Sequence, residues 1–182
     1  IQYRAIGGTL DLRFTSGDTV EGANTPSAAI QQYVNFIGNP VIHPYWSYGF
    51  HLCRWGYNNV SETQAVIDAM RAHNIPLEVQ WNDIDYLQEF RDFTTDPERF
   101  PQQEFAAMIR KLRDGHQHYI PIVDMAIPKA PTNASDTYFP GTRGDELDVF
   151  LKNRNGTEYI GEVWPGYTSF VDQQAKNAGK WW

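Results

Sequence analysis

Strand-like and helix-like stretches alternate along the middle of this chain, and that rhythm limits it to a parallel α/β architecture. Trp46 to Cys53 is an apolar, aromatic run of strand length. Ser61 opens a helical stretch with a capping box, Ser61 at the cap and Gln64 three residues on, and Val66, Ile67 and Met70 form its apolar face. Asn74-Ile75-Pro76 ends that stretch, and Leu77-Glu78-Val79-Gln80 then alternates as a strand does. Pro101 starts a second helix, with Phe105, Met108, Ile109 and Leu112 on one face and Gly115 as its C-cap. Residues 119–124, Tyr-Ile-Pro-Ile-Val-Asp, make a third strand. Such crossovers bring neighbouring strands together in parallel, which fits either a doubly wound sheet or a (β/α)8 barrel.

In both folds ligands bind at the C-terminal ends of the strands. Here the second strand ends in Trp81-Asn82-Asp83-Ile84-Asp85 and the third in Asp124. Carboxylates accept hydrogen bonds from sugar hydroxyls and an indole covers a pyranose face, so the pattern suits a carbohydrate. An Asp-rich turn after a strand has the same composition. By spacing alone, Asp83 with Asp85 or Asp124 could be the carboxylate pair that retaining glycosidases hold about 5–5.5 Å apart.

Outside the repeat, residues 1–23 read as the end of a β-rich region, with Leu10, Leu12 and Phe14 alternating with polar neighbours. Residues 24–45 read as a linker with a short helix from Pro26 to Ile37, its apolar positions Ala28, Ala29, Tyr33 and Ile37, closed by Gly38-Asn39-Pro40. The barrel units occupy residues 46–182. Residues 125–144, rich in Pro, Gly, Ser and Thr, predict a long loop, and residues 148–163 a hairpin turning at Asn153-Arg154-Asn155-Gly156. Together they make an excursion over about residues 125–165. Val171 to Trp182 begins a helix.

The formal charge of −7 argues against a nucleic-acid partner, and no apolar run approaches a membrane span. Ile1-Gln2-Tyr3-Arg4 has no secretory leader and reads as a start in mid-strand. Cys53 is the single cysteine, expected as a small buried hydrophobe, and the scattered histidines offer no metal ligand set. No cofactor is expected. Sequons at Asn59, Asn133 and Asn155 lean towards a secreted or lumenal glycoprotein, placed outside the cell or in the secretory or lysosomal lumen.

Taken in order, Tyr3-Arg4-Ala5-Ile6-Gly7-Gly8, Pro44-Tyr45-Trp46-Ser47-Tyr48-Gly49-Phe50, His51-Leu52-Cys53-Arg54-Trp55-Gly56-Tyr57, Gln80-Trp81-Asn82-Asp83-Ile84-Asp85-Tyr86, Arg91-Asp92-Phe93-Thr94, Ile122-Val123-Asp124 and Val163-Trp164-Pro165-Gly166 resemble glycoside hydrolase family 31 over nearly the whole chain. The resemblance implies the first part of a (β/α)8 TIM barrel with a β-hairpin excursion after the third strand. Residues 1–20 would be the last strands of a preceding β-sandwich. It implies retaining, exo-acting hydrolysis of terminal α-linked glucose from α-glucosidic oligosaccharides. In the family the nucleophile lies on the fourth strand and the acid/base further on, so neither catalytic carboxylate is expected in this chain, and a companion polypeptide, such as the other product of proteolytic nicking near Trp182, would complete the barrel. Asp83 matches a family aspartate that binds hydroxyls of the sugar in the −1 subsite. Ile84 would line the same pocket, Ile122 pack against the sugar, Trp164 form part of the wall and Asp124 help order the pocket. Met125 stands where the family commonly has Pro, Gln88 near a common acid, and Phe170-Val171-Asp172-Gln173 for Phe-Pro-Asp-Phe. The family also holds α-xylosidases and α-glucan lyases, and a non-catalytic carbohydrate-binding module is the reading from another class.

Overall fold

The computed structural model describes residues 2–18, 24–129 and 138–182. It divides into two compact units, Ile1–Pro44 and Tyr45–Trp182.

In the first unit, α1 spans Pro26–Ile37, the predicted bounds. Thr25 caps it by accepting from the Ala28 N–H, Pro26 sits where a missing N–H costs nothing, and Gly38 turns out with φ +87°. The expected apolar face is not buried: Tyr33 and Ile37 remain 53% and 55% exposed. The expected strands are not seen either. Residues 2–18 have no strand partner among the described residues, and without one the alternation of Leu10, Leu12 and Phe14 satisfies no backbone group.

The second unit begins with a 3-10 turn, Tyr45–Tyr48, where a strand was expected, and β1 is only His51–Leu52. There follow α2 (Val60–Ala72), β2 (Val79–Asn82), α3 (Gln102–Asp114) and β3 (His118–Pro121). The strands lie in the order β1-β2-β3, all parallel, with His51 beside Val79 and Val79 beside His118. The helices bury Ile67, Phe105, Met108 and Leu112 in a core that also takes Leu77, Leu87 and Phe100. Asn59, not Ser61, caps α2. Its Oδ1 accepts from the Glu62 N–H at 2.8 Å while Glu62 reaches back to the Asn58 N–H at 3.0 Å, a variant of the capping box closed on the residue before the cap and two residues upstream of the expected one. On the sheet face that bears His51, Trp81 donates its indole N–H to His51 Nδ1 at 3.0 Å, and Trp46 stacks on His118 at 4.1 Å. Because an indole only donates, His51 carries its proton on Nε2, aimed at the Ser47 carbonyl.

Beyond β3 the stretch expected as a long loop contains regular structure. β4 (Ala126–Pro128), β5 (Ile160–Val163) and β6 (Gly166–Phe170) form an antiparallel sheet in the order β4-β6-β5. α4 covers Phe139–Leu147, a stretch whose Pro and two Gly read as loop. Gly144 is required there, since a Cβ would meet the Phe150 ring at 2.1 Å. The predicted turn at residues 153–156 exists, with Gly156 at φ +84° and its N–H on the Asn153 carbonyl, but its arms pair only through the Lys152–Glu158 bridge. The regular hairpin is the next one, β5–β6, turning at Trp164-Pro165. At the end, α5 is restricted to Ala178–Trp181, because Asp172 bonds across to the Val149 carbonyl and turns the chain through Gln174 and Ala175. Ile127, Leu147, Val149, Phe150 and Val171 make this second core.

Candidate sugar-binding site

The C-terminal ends of the three parallel strands carry Cys53 after β1, Asp83 and Ile84 after β2, and Ile122 to Asp124 after β3. Parallel register brings these segments to one edge. Asp83 takes an extended conformation just past the strand, and its carboxylate accepts from the Ile84 N–H at 2.7 Å, starting a 3-10 turn over Ile84–Tyr86. Its side chain is half-buried, so it can still meet a ligand. Ile84 is 5% exposed and belongs to the core, while Ile122 packs partly against that core. Cys53 is exposed rather than buried, a correction that follows from its place past the strand end. Partial burial and the nearby Asp83 charge both push its thiol pKa up, which favours the unreactive thiol.

Three bonds hold the segment after β3. The Ile122 N–H donates to the Asn82 carbonyl at 3.1 Å, the Tyr86 hydroxyl to the Ile122 carbonyl at 2.8 Å, and the Asp124 N–H to Asp92 Oδ1 at 3.0 Å. Asp85 is buried and accepts from the Gly56 N–H at 2.8 Å, so it fastens the loop after β1 and is turned away from a catalytic role. Asp92 is 1% exposed. Burial first, then the Asp124 charge, pushes its carboxyl up to about 6 against the lowering effect of the Asp124 N–H. Burial, with Asp92 and Asp124, lifts Tyr86 to about 12, so it stays a hydroxyl donor.

Trp164 lies on the other sheet, in the two-residue turn between β5 and β6, and is 70% exposed. Among the sequons, Asn59 is the α2 cap and Asn155 lies on the exposed turn, accepting from both the N–H and the hydroxyl of Thr157, whereas Asn133 lies outside the described residues. Sequence reasoning passed over Asp92 and Tyr86 as pocket supports. Both sit inside quoted motifs, but only the fold reveals that they reach the segment after β3. Among the described residues no group of three or more His, Cys, Asp or Glu is arranged to hold a metal ion, and no helix is long and apolar enough to cross a membrane.

A parallel βα array with carboxylates at its strand ends is the arrangement in which (β/α)8 barrels place their ligand sites. The model of the glycosyl hydrolases family 31 TIM-barrel domain matches residues 40–182, and the chain belongs to that family. It is 79% identical to an α-glucosidase of Candida tsukubaensis over its whole length, which is 18% of that protein, and 44% identical to one of Schizosaccharomyces pombe, covering 19% of it. The chain thus spans less than a fifth of these relatives. Among solved structures, it matches the glucosidase II alpha subunit bound to alpha3-Glc2 with a TM-score of 0.74 and 27% identity, over 87% of this chain and 16% of that one. A family 31 α-glucosidase from Bacteroides thetaiotaomicron matches with a TM-score of 0.69 and 30% identity, over 87% of this chain and 26% of that one.

Proposed function

We propose that this chain forms part of the −1 subsite of an α-glucosidase that hydrolyses terminal, non-reducing α-linked glucose with retention of configuration. The observation that carries the reading is Asp83, a half-buried carboxylate past the end of β2 that the Ile84 N–H orients and that the Asn82–Pro121 register places beside the segment after β3. One carboxylate can accept two vicinal hydroxyls, and a site built on such bonds discriminates against sugars lacking them. Ile84 and Ile122 give the apolar floor, Asp124 orders it, and Trp164 closes it as an indole wall. The nucleophile and the acid/base lie downstream: one forms the glycosyl-enzyme, the other protonates the leaving oxygen and then activates water. The carboxylates here also favour the positive charge that develops on the sugar ring. Residues 2–18 complete a preceding β-sandwich, and a companion polypeptide, or the same one continued, carries the rest of the barrel. The sequons at Asn59, Asn133 and Asn155 support a glycoprotein located outside the cell or in a secretory or lysosomal lumen.

The test is hydrolysis of maltose by the full-length protein followed by NMR. α-Glucose should appear first, and Asp83→Ala should lower kcat/KM by roughly a hundredfold, the loss of charge-assisted hydrogen bonds to the sugar. Binding of maltose without release of glucose would instead establish a carbohydrate-binding module.

A further inference from the structure

Two side chains from the segment after β2 reach across to the segment after β3: Tyr86 to the carbonyl of Ile122 and Asp92 to the N–H of Asp124. Asp92 is also held from a third side, since the Tyr138 hydroxyl, just before α4, donates to its carbonyl at 2.9 Å. Its carboxylate is therefore almost wholly buried at a junction of three segments, and it receives the amide of a residue two positions from Ile122. A buried carboxylate is costly unless its bond does something for the fold or the site.

We propose that Asp92 is a positioning residue which, through Asp124, sets Ile122 against the sugar pocket formed with Asp83 and Ile84. The clasp itself rests on geometry alone, whereas its bearing on the sugar rests on the function proposed above. The groups facing Asp92 are Asp124 from the segment after β3, Tyr86 from the turn after β2, Tyr138 from the segment entering α4, and its neighbour Arg91, whose guanidinium lies 5.3 Å over the Tyr138 ring. Asp124 and the two tyrosines contribute no positive charge to hold Asp92 ionised, Arg91 directs its guanidinium to Glu89 at 3.6 Å and over the Tyr138 ring, and burial pushes the Asp92 carboxyl up to about 6. A charged acceptor binds an N–H about twice as strongly as a neutral one. The clasp thus tightens above pH 6 and slackens below.

Hydrogen exchange of the Asp124 amide in the full-length protein tests this, corrected for the intrinsic pH dependence of exchange. In the unmodified protein, protection should fall severalfold between pH 7 and pH 5. In Asp92→Asn, which keeps a neutral acceptor, that change should vanish. Asp92→Ala should expose the amide at every pH and raise KM for maltose roughly tenfold while lowering kcat less. Exchange that ignores pH and both substitutions would overturn the clasp. Altered exchange with KM and kcat unmoved would overturn the positioning role. If the unmodified protein released no glucose, the function and the pocket role would fall together, with the exchange data still deciding the clasp.

Discussion

At the scale of single residues, two acids two positions apart do opposite work. Asp83 is half-buried with its carboxylate partly free, whereas Asp85 is buried and bonded to the Gly56 N–H. Replacing Asp85 by Ala leaves that N–H without its acceptor. Unfolding free energy should drop by about 1–3 kcal/mol in denaturant titration, and kcat on maltose should change less than in Asp83→Ala. Gly144 is the opposite case, a residue defined by what it lacks. Its Cβ would stand 2.1 Å from the Phe150 ring, so Gly144→Ala should destabilise the second unit by about 1–3 kcal/mol despite the better helix propensity of alanine. A rise in melting temperature on that substitution would mean that Phe150 repacks freely.

At the scale of elements, α2 separates two roles that one asparagine combines. Asn59 caps the helix and is also a sequon position, while the sequon's Ser61 is exposed and makes no cap. Asn59→Ala should cost about 1 kcal/mol through the lost cap whether or not a glycan is present. Ser61→Ala abolishes the sequon and leaves the cap, so any further change in melting temperature or intact mass it produces belongs to the glycan. The same element shows what was legible in sequence. The βαβ rhythm, the helix cores of Ile67, Phe105, Met108 and Leu112, and the strand-end location of Asp83 were readable because periodicity and burial agree there, whereas the third strand, expected over 119–124, ends at Pro121 and leaves Ile122 beyond it. The cap was misplaced by two residues because Asn, Ser and Glu crowd the helix start, and both registers fit a capping box. α4 was missed since its glycines are poor for a helix by propensity, and only the fold shows that Gly144 is required by its contact with the Phe150 ring. Asp92 was visible as part of a motif but not as a clasp, because no local pattern announces a bond to a residue 32 positions away.

At the scale of the whole molecule, these acids make stability and site geometry pull against each other. The Asp92 carboxyl titrates near 6 in the fold against 3.8 when unconstrained. Its proton is held more tightly in the folded state, so its contribution is fully present below about pH 4 and is lost as pH rises through 6. The shift corresponds to about 3 kcal/mol at most. Asp96 works in the other direction, since bonds from the Arg99 and Glu98 N–H groups and the Arg99 side chain outweigh its burial and hold its carboxyl below the usual range, so its stabilisation is lost as pH falls. The pH profile of the protein alone therefore mixes opposing carboxylates, and a difference is needed to isolate one. Denaturant titrations of the unmodified protein and Asp92→Asn at half-unit steps from pH 4 to 7 supply it. The stability of the unmodified protein relative to the variant should decline by up to about 3 kcal/mol over that range and level off above pH 6.5. A flat difference would mean that Asp92 is ionised throughout and the clasp always engaged. A declining one means that the molecule gives up stability as it gains the charged bond that sets Ile122 in place.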